Sequence, residues 1–168
     1  MSLNVEDIDS SSDEELFHLL GQELQSRLSA ERGSAEFISQ IRQLPPGLRA
    51  MAATYELDVS LSFDDLGWHF GNWHNEELAE ETARGLEVLE AKELADLFRQ
   101  AFETAKLYWT ELSDNHWMDW YHGSPLEKAV EPLNQRASAI LKNKENGIFK
   151  YWVDYARRYP EQVGAEEA

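Results

Sequence analysis

The chain reads as an all-α protein, a compact single domain of about six to eight helices. Three observations predict this class. Apolar residues recur at three- and four-residue spacing in one segment after another, the period of a helix with one buried face. Capping residues mark helix starts, Ser12 with Glu15 and Ser124-Pro125 with Glu127. Only one stretch, Leu57 to Phe63, alternates as a strand would. It has no second candidate to satisfy its backbone groups, so it reads as a helix end running into a loop.

The elements follow in order. Residues 1–11 are polar and acidic and read as a flexible tail. The helical domain is expected over 12–160. Its first helix buries Leu16, Leu19, Leu20, Leu24 and Leu28, and Gly33-Ser34 ends the segment that follows. A short helix carries Phe37, Ile38 and Ile41 inward. Leu44-Pro45-Pro46-Gly47 closes it, because a residue before proline avoids the α region. Pro46 suits the first turn of the next helix, where no N–H is needed. Its inner face is Leu48, Met51, Ala52 and Tyr55.

The dominant stretch is Asn75 to Leu112, two amphipathic segments whose apolar phase suggests a helical hairpin. The first turns Leu78, Thr82, Leu86 and Leu89 to one side, with Glu76, Glu77, Glu80, Glu81 and Glu87 on the other. The second carries Leu94, Leu97, Phe98, Ala101, Phe102, Ala105, Tyr108, Trp109 and Leu112 as a core stripe. Neither glycine nor proline marks the joint at Glu90-Ala91-Lys92. Beyond an aromatic loop, Leu126, Val130, Leu133, Ala137, Ile140 and Leu141 continue inward, with Pro132 expected to kink or split their helix. Ile148, Trp152, Tyr155, Ala156 and Tyr159 mark a last helix ended by Pro160. Residues 161–168 read as a frayed tail.

Composition narrows the function classes. A formal net charge of −17 repels nucleic acid and anionic membranes, so neither is an expected partner. The chain has no cysteine, which removes disulfide and thiolate chemistry. No signal-like or membrane-spanning apolar run is present, so the expected location is cytoplasmic. Charge is unevenly spread. Residues 6–15 hold six acids and no base, whereas residues 124–158 hold seven bases against four acids. Such polarity suits a monomer or homodimer that orients against a basic partner.

The expected partner-binding surface is the acidic stripe of Glu76, Glu77, Glu80, Glu81 and Glu87, with Asp64 and Asp65 nearby. At 1.5 Å per residue Glu76 and Glu87 stand about 16 Å apart, along which a DNA strand sets a phosphate every ~3.4 Å. The plain alternative is a solvated helix face. A second reading uses the loops 64–75 and 114–123, where His69, His74, His116 and His122 accompany Asp64, Asp65, Asp114 and Asp119. Those groups could hold a metal or form an acid–base pair in a tryptophan-walled pocket, if the loops meet. The bland reading is of histidines satisfied by backbone. The aromatic set Tyr108, Trp109, Trp117, Trp120, Tyr121, Trp152 and Tyr155 likewise suits a core better than a ligand stack. No nucleophile elbow, phosphate loop or dinucleotide fingerprint occurs, so no cofactor and no catalysis are expected.

One more pattern stands in the sequence. Leu44-Pro45, Leu48-Arg49, Leu57-Asp58-Val59, Phe70-x-Asn72 and an acidic helix pair ending in Leu97-Phe98-Arg99-Gln100-Ala101 follow one another over residues 44–102. This run resembles the family named for a bacterial DNA mimic protein, most of whose members have no known function. Members commonly carry Asn-Gly-Gly-Phe before an aromatic turn. Here Phe63-Asp64-Asp65-Leu66-Gly67-Trp68 stands there, so that turn is built differently. The resemblance implies an all-α fold. It also implies non-catalytic binding to a basic DNA-binding protein through carboxylates placed like phosphates.

Overall fold

The computed structural model describes residues 3–144 and 147–164. Among them are eleven α-helices, eight of seven or more residues, one 3-10 helix and no strand. In order these are α1 (Val5–Ser10), α2 (Asp13–Arg27), α3 (Ala35–Ile41), α4 (Pro46–Phe63), α5 (Leu66–Asn72), α6 (Glu76–Val88), α7 (Lys92–Lys106), α8 (Trp109–Leu112), α9 (Trp117–Tyr121), α10 (Pro125–Asn143) and α11 (Phe149–Arg158). The 3-10 helix spans Pro160–Val163. Among the described residues no helix is long and apolar enough to cross a membrane.

Helix α4 is the axis. It has a proline at its start and buries residues on most of its faces, among them Leu48, Met51, Ala53, Thr54 and Leu57. Its largest contact is with α6. Small residues make that contact close: a Cβ on Gly85 would stand 2.9 Å from the Ala50 carbonyl oxygen. Polar side chains at the seam are paired internally. Thr82 donates its hydroxyl to the Ala53 carbonyl at 2.8 Å. Thr54 accepts the indole N–H of the buried Trp152 at 2.9 Å, which ties α11 to α4. Helix α7 packs on α6 and α10, and a single apolar cluster joins all these helices. Burying each of its Leu, Phe and Trp side chains contributes roughly 1.5–3 kcal/mol against conformational entropy.

Several expectations need correction. The acidic start is not a loose tail over its described residues. Asn4 caps α1, Leu3 and Ile8 are buried, and Arg157 donates to the Ser11 carbonyl and to Asp13. Two apolar anchors and a basic α11 outweigh the polar composition of that segment. The end is packed too. Val163 is buried, and the 3-10 helix lies so close to α4 that a Cβ on Gly47 would meet the Gln162 carbonyl at 2.8 Å. Residues 165–168 of the expected tail fall outside the described residues.

The alternating stretch is helical throughout, since α4 continues to Phe63. Its alternation arises because Val59 and Phe63 are apolar but exposed, while Leu57 and Ser60 face inward. Helix α10 runs unbroken through Pro132. Helix α7 stops at Lys106, so Trp109 and Leu112 belong to the separate α8.

Candidate functional site

Helix α6 begins at Asn75, whose side chain accepts the Leu78 N–H at 3.0 Å while its amide group donates to the Gly33 carbonyl at 2.8 Å. Glu76 and Glu77 in the first turn suit the positive end of the helix dipole. At about 100° per residue, Glu76, Glu80 and Glu87 point away from Leu78, whereas Glu81 lies only about 60° from it. The structure follows this arithmetic. Glu76, Glu80 and Glu87 are exposed, and the Glu81 side chain is 1% exposed.

Glu81 is therefore not part of an outer stripe. Arg42 reaches one of its carboxylate oxygens at 2.9 Å, and Arg49 grips both. Burial drives its pKa up, but hydrogen bonds from Arg42 and Arg49 outweigh this and leave it below the ordinary value. Arg42 also pairs with Glu77 at 3.1 Å, and Arg99 pairs with Glu87 at 2.6 Å. The Arg99 hydrogen bond holds the Glu87 carboxyl below its usual range. Glu76 and Glu80 remain, exposed and without an ion pair among the described residues. Sequence position gave no sign of Arg42 and Arg49, which come from α3's end and α4.

The two aspartates also differ. Asp64 is exposed at the end of α4. Asp65 is the N-cap of α5, accepting the Trp68 N–H and the Tyr121 hydroxyl, each at 2.8 Å. Burial, and then that second bond, push the Tyr121 hydroxyl far above its ordinary pKa. Asp65 thus holds α5 to α9 and is not available as a surface charge.

The two aromatic loops do meet, but not as a pocket of histidines. Gly67 and Gly71, one turn apart on α5, receive Tyr121 and Trp117, one turn apart on α9. A Cβ on Gly67 would stand 2.3 Å from the Tyr121 oxygen, and one on Gly71 2.4 Å from the Trp117 ring. The histidines go elsewhere. His69 is buried on the inner face of α5, its Nδ1 2.9 Å from the Ser60 hydroxyl. Burial lowers its pKa to about 3. His74 stacks on Trp109 at 4.0 Å and donates from Nε2 to the Trp109 carbonyl. His116 and His122 are exposed, His122 lying 3.8 Å from Glu127. Among the described residues no three His, Asp or Glu side chains are placed to hold a metal. The structure does not bring the alternative ligands His69, His74, His116 and His122 together. The aromatic set is core or flank: Trp117, Tyr121, Trp152 and Tyr155 are buried, and Tyr108, Trp109 and Trp120 pack against the cluster.

A feature missed by sequence reasoning is an open groove of about 900 Å³ between the end of α4 and α10. Asp58, Asp64, Asp65 and Glu131 line it beside Leu61 and Leu141. Asp58 accepts the Ile148 N–H at 3.0 Å, and burial raises its pKa.

No curated protein and no solved structure matches this chain. A family model, described as DMP19-like protein, matches residues 42–159. It extends past the 44–102 run and takes in the tryptophan-rich half through α11. With well over half of its residues matched, the chain belongs to the DMP19-like protein family.

Proposed function

We propose that this protein binds a basic nucleic-acid-binding protein, without catalysis, through carboxylates that its own arginines leave uncompensated. The observation that carries this reading is the exposure of Glu76, Glu80 and Asp64 with no cationic partner among the described residues. Family membership supports it, because the family takes its name from a DNA mimic. The net charge of −17 supports it in sign, since it attracts cationic surfaces and repels DNA itself.

The docking set is sparser than a five-glutamate ladder. Glu76 and Glu80 are about 6 Å apart along the α6 axis, close to the ~7 Å that separates alternate phosphates of one DNA strand. The ion-paired Glu77, Glu81 and Glu87 fix local structure and contribute little free charge.

The test immobilises the protein and challenges it with the proteins that elute from a double-stranded DNA resin. Capture at low salt, release by added duplex DNA and loss of capture in the Glu76→Gln, Glu80→Gln, Asp64→Asn triple variant are expected. A triple variant that captures the same proteins as strongly as the parent would refute the proposal.

A further inference from the structure

The groove between α4 and α10 combines negative charge with two properties that the acidic ridge lacks. It is negative: Asp64 and Glu131 are exposed along it, Asp58 and Asp65 stand in its wall already hydrogen-bonded, and Lys142 is the one lining cation among the described residues. It is partly apolar, through Leu61 and Leu141. It also offers an unused donor. Asn134 accepts the Leu66 N–H through Oδ1 at 3.0 Å, while its Nδ2 is buried without any acceptor. A buried amide hydrogen without a partner costs stability unless something supplies a carbonyl.

Next to this groove lies an exposed apolar strip. Val59 and Phe63 are one helical turn apart on α4, and Phe63, between the lining residues Ser62 and Asp64, is 83% exposed. It is the most exposed large apolar side chain among the described residues. A solubilising acidic face has no need of a naked phenylalanine beside a cleft.

We infer that this groove seats a basic amphipathic segment of a protein partner. Lys or Arg side chains of the segment meet Asp64 and Glu131. An apolar side chain packs on Leu61, Leu141 and Phe63. A carbonyl or side-chain oxygen of the segment takes the Asn134 Nδ2–H. Charge complementarity selects the occupant: the exposed Asp64 and Glu131, spaced along the groove and backed by the wall carboxylates Asp58 and Asp65, suit cations strung along a chain better than one small cation. The mixed lining matches recognition of one apolar helix face flanked by charge. This inference rests on the proposed basic partner and adds where the partner docks and why it must carry an apolar anchor.

The probe is a dye-labelled synthetic helix of Lys, Arg and Leu, with its leucines on one face, against a control of equal composition with the face scrambled. The full chain is expected to bind the amphipathic peptide about tenfold more tightly than the control. The Phe63→Ser, Glu131→Lys double variant should lose about tenfold in affinity, and the Glu76→Gln, Glu80→Gln variant less than about twofold. All altered side chains are exposed, so both variants should keep the parent's melting temperature. In nitrogen-15 spectra the Asn134 side-chain amide should shift on peptide addition. Equal binding of both peptides, or binding untouched by the groove variant, overturns the inference. Shifts confined to α6 overturn it as well, while leaving the acidic ridge standing. Groove binding of the peptide together with failed capture of DNA-binding proteins would uphold the groove and sink the mimicry reading.

Discussion

Arg49 holds Glu81 through two parallel hydrogen bonds, Nε to Oε2 at 2.9 Å and Nη2 to Oε1 at 2.8 Å, across the seam between α4 and α6. The carboxylate is buried and the guanidinium is one-third exposed. Removing the carboxylate takes both bonds from Arg49 and leaves Arg42 only its pair with Glu77, so Glu81→Gln should destabilise by about 1–3 kcal/mol, at the discounted end for a half-buried pair. Urea melts at pH 7 measure this. The pH dependence has a defined sign. A carboxylate whose folded pKa is depressed stabilises above its unfolded pKa, near 4.5, and loses that contribution as pH falls through the lower folded value. Below about pH 4.5 the parent should therefore lose stability faster than Glu81→Gln. Parallel curves would show that the pair contributes nothing to acid stability.

His69 predicts a second and separate acid transition. Its ring is buried against Phe70 and Phe98, and burial holds its pKa near 3 against an ordinary 6.5. Between those values the unfolded chain binds a proton that the folded chain refuses. Stability must therefore rise with pH through that window. From pH 7 to pH 5 the loss is about 2 kcal/mol per molecule. His69→Asn should remove this slope, whatever its effect on stability at pH 7. Urea melts at four or five pH values give the answer. A variant retaining the parent's slope between pH 5 and 7 would assign it to other groups.

The α5–α9 contact is testable through its glycines. Gly71→Ala places a methyl group 2.4 Å from the Trp117 ring, so either the ring or the helix must move. Overpacking of this kind costs about 1–3 kcal/mol and should shift Trp117 emission. Gly67→Ala should act in the same direction through Tyr121. Gly21, inside α2, is the control, because nothing lies within 4 Å of a Cβ there. Gly21→Ala should stabilise by about 0.5–1 kcal/mol through reduced chain entropy. Differential scanning calorimetry of the three variants separates crowding from propensity.

These residues also show what was legible in the sequence. Helical class, the Ser12–Glu15 capping box, the Ser124 N-cap and most core positions followed from period and capping alone, since these are local properties. The paired spacing of Gly67 with Gly71 and Trp117 with Tyr121 was present too. It could have been read as two surfaces of matched pitch, but nothing local says that one faces the other. The fate of the acidic stripe was only half readable. Glu81 was read as part of the outer stripe although its helical angle lies near that of Leu78, and its partners lie 32 and 39 residues away, a distance that periodicity does not bridge. The groove was invisible because α4 and α10 are distant in sequence. Helix α1 was missed because two apolar residues among acids make no pattern until α11 supplies a surface.

The turn between α6 and α7 falls at Glu90-Ala91-Lys92, where the apolar phase placed the joint of a hairpin, and it carries the last prediction. The chain reverses with the Ala91 N–H bonded to the Leu86 carbonyl at 2.8 Å and the Glu90 N–H bonded to the Glu87 carbonyl at 3.0 Å. This is the paired closure that normally places glycine in the left-handed position. Here that position is Glu90, at φ 63°. Its side chain accepts the Tyr159 hydroxyl at 3.0 Å and pairs with Arg158, so α11 holds the residue where its backbone is strained. Two substitutions separate the opposing effects. Glu90→Ala keeps the strain and loses the partners. Glu90→Gly loses the partners and relieves the strain. The glycine variant should therefore melt about 2–4 °C above the alanine variant, although it has the poorer helix former of the two. If alanine melts at or above glycine, the left-handed backbone at residue 90 is not strained.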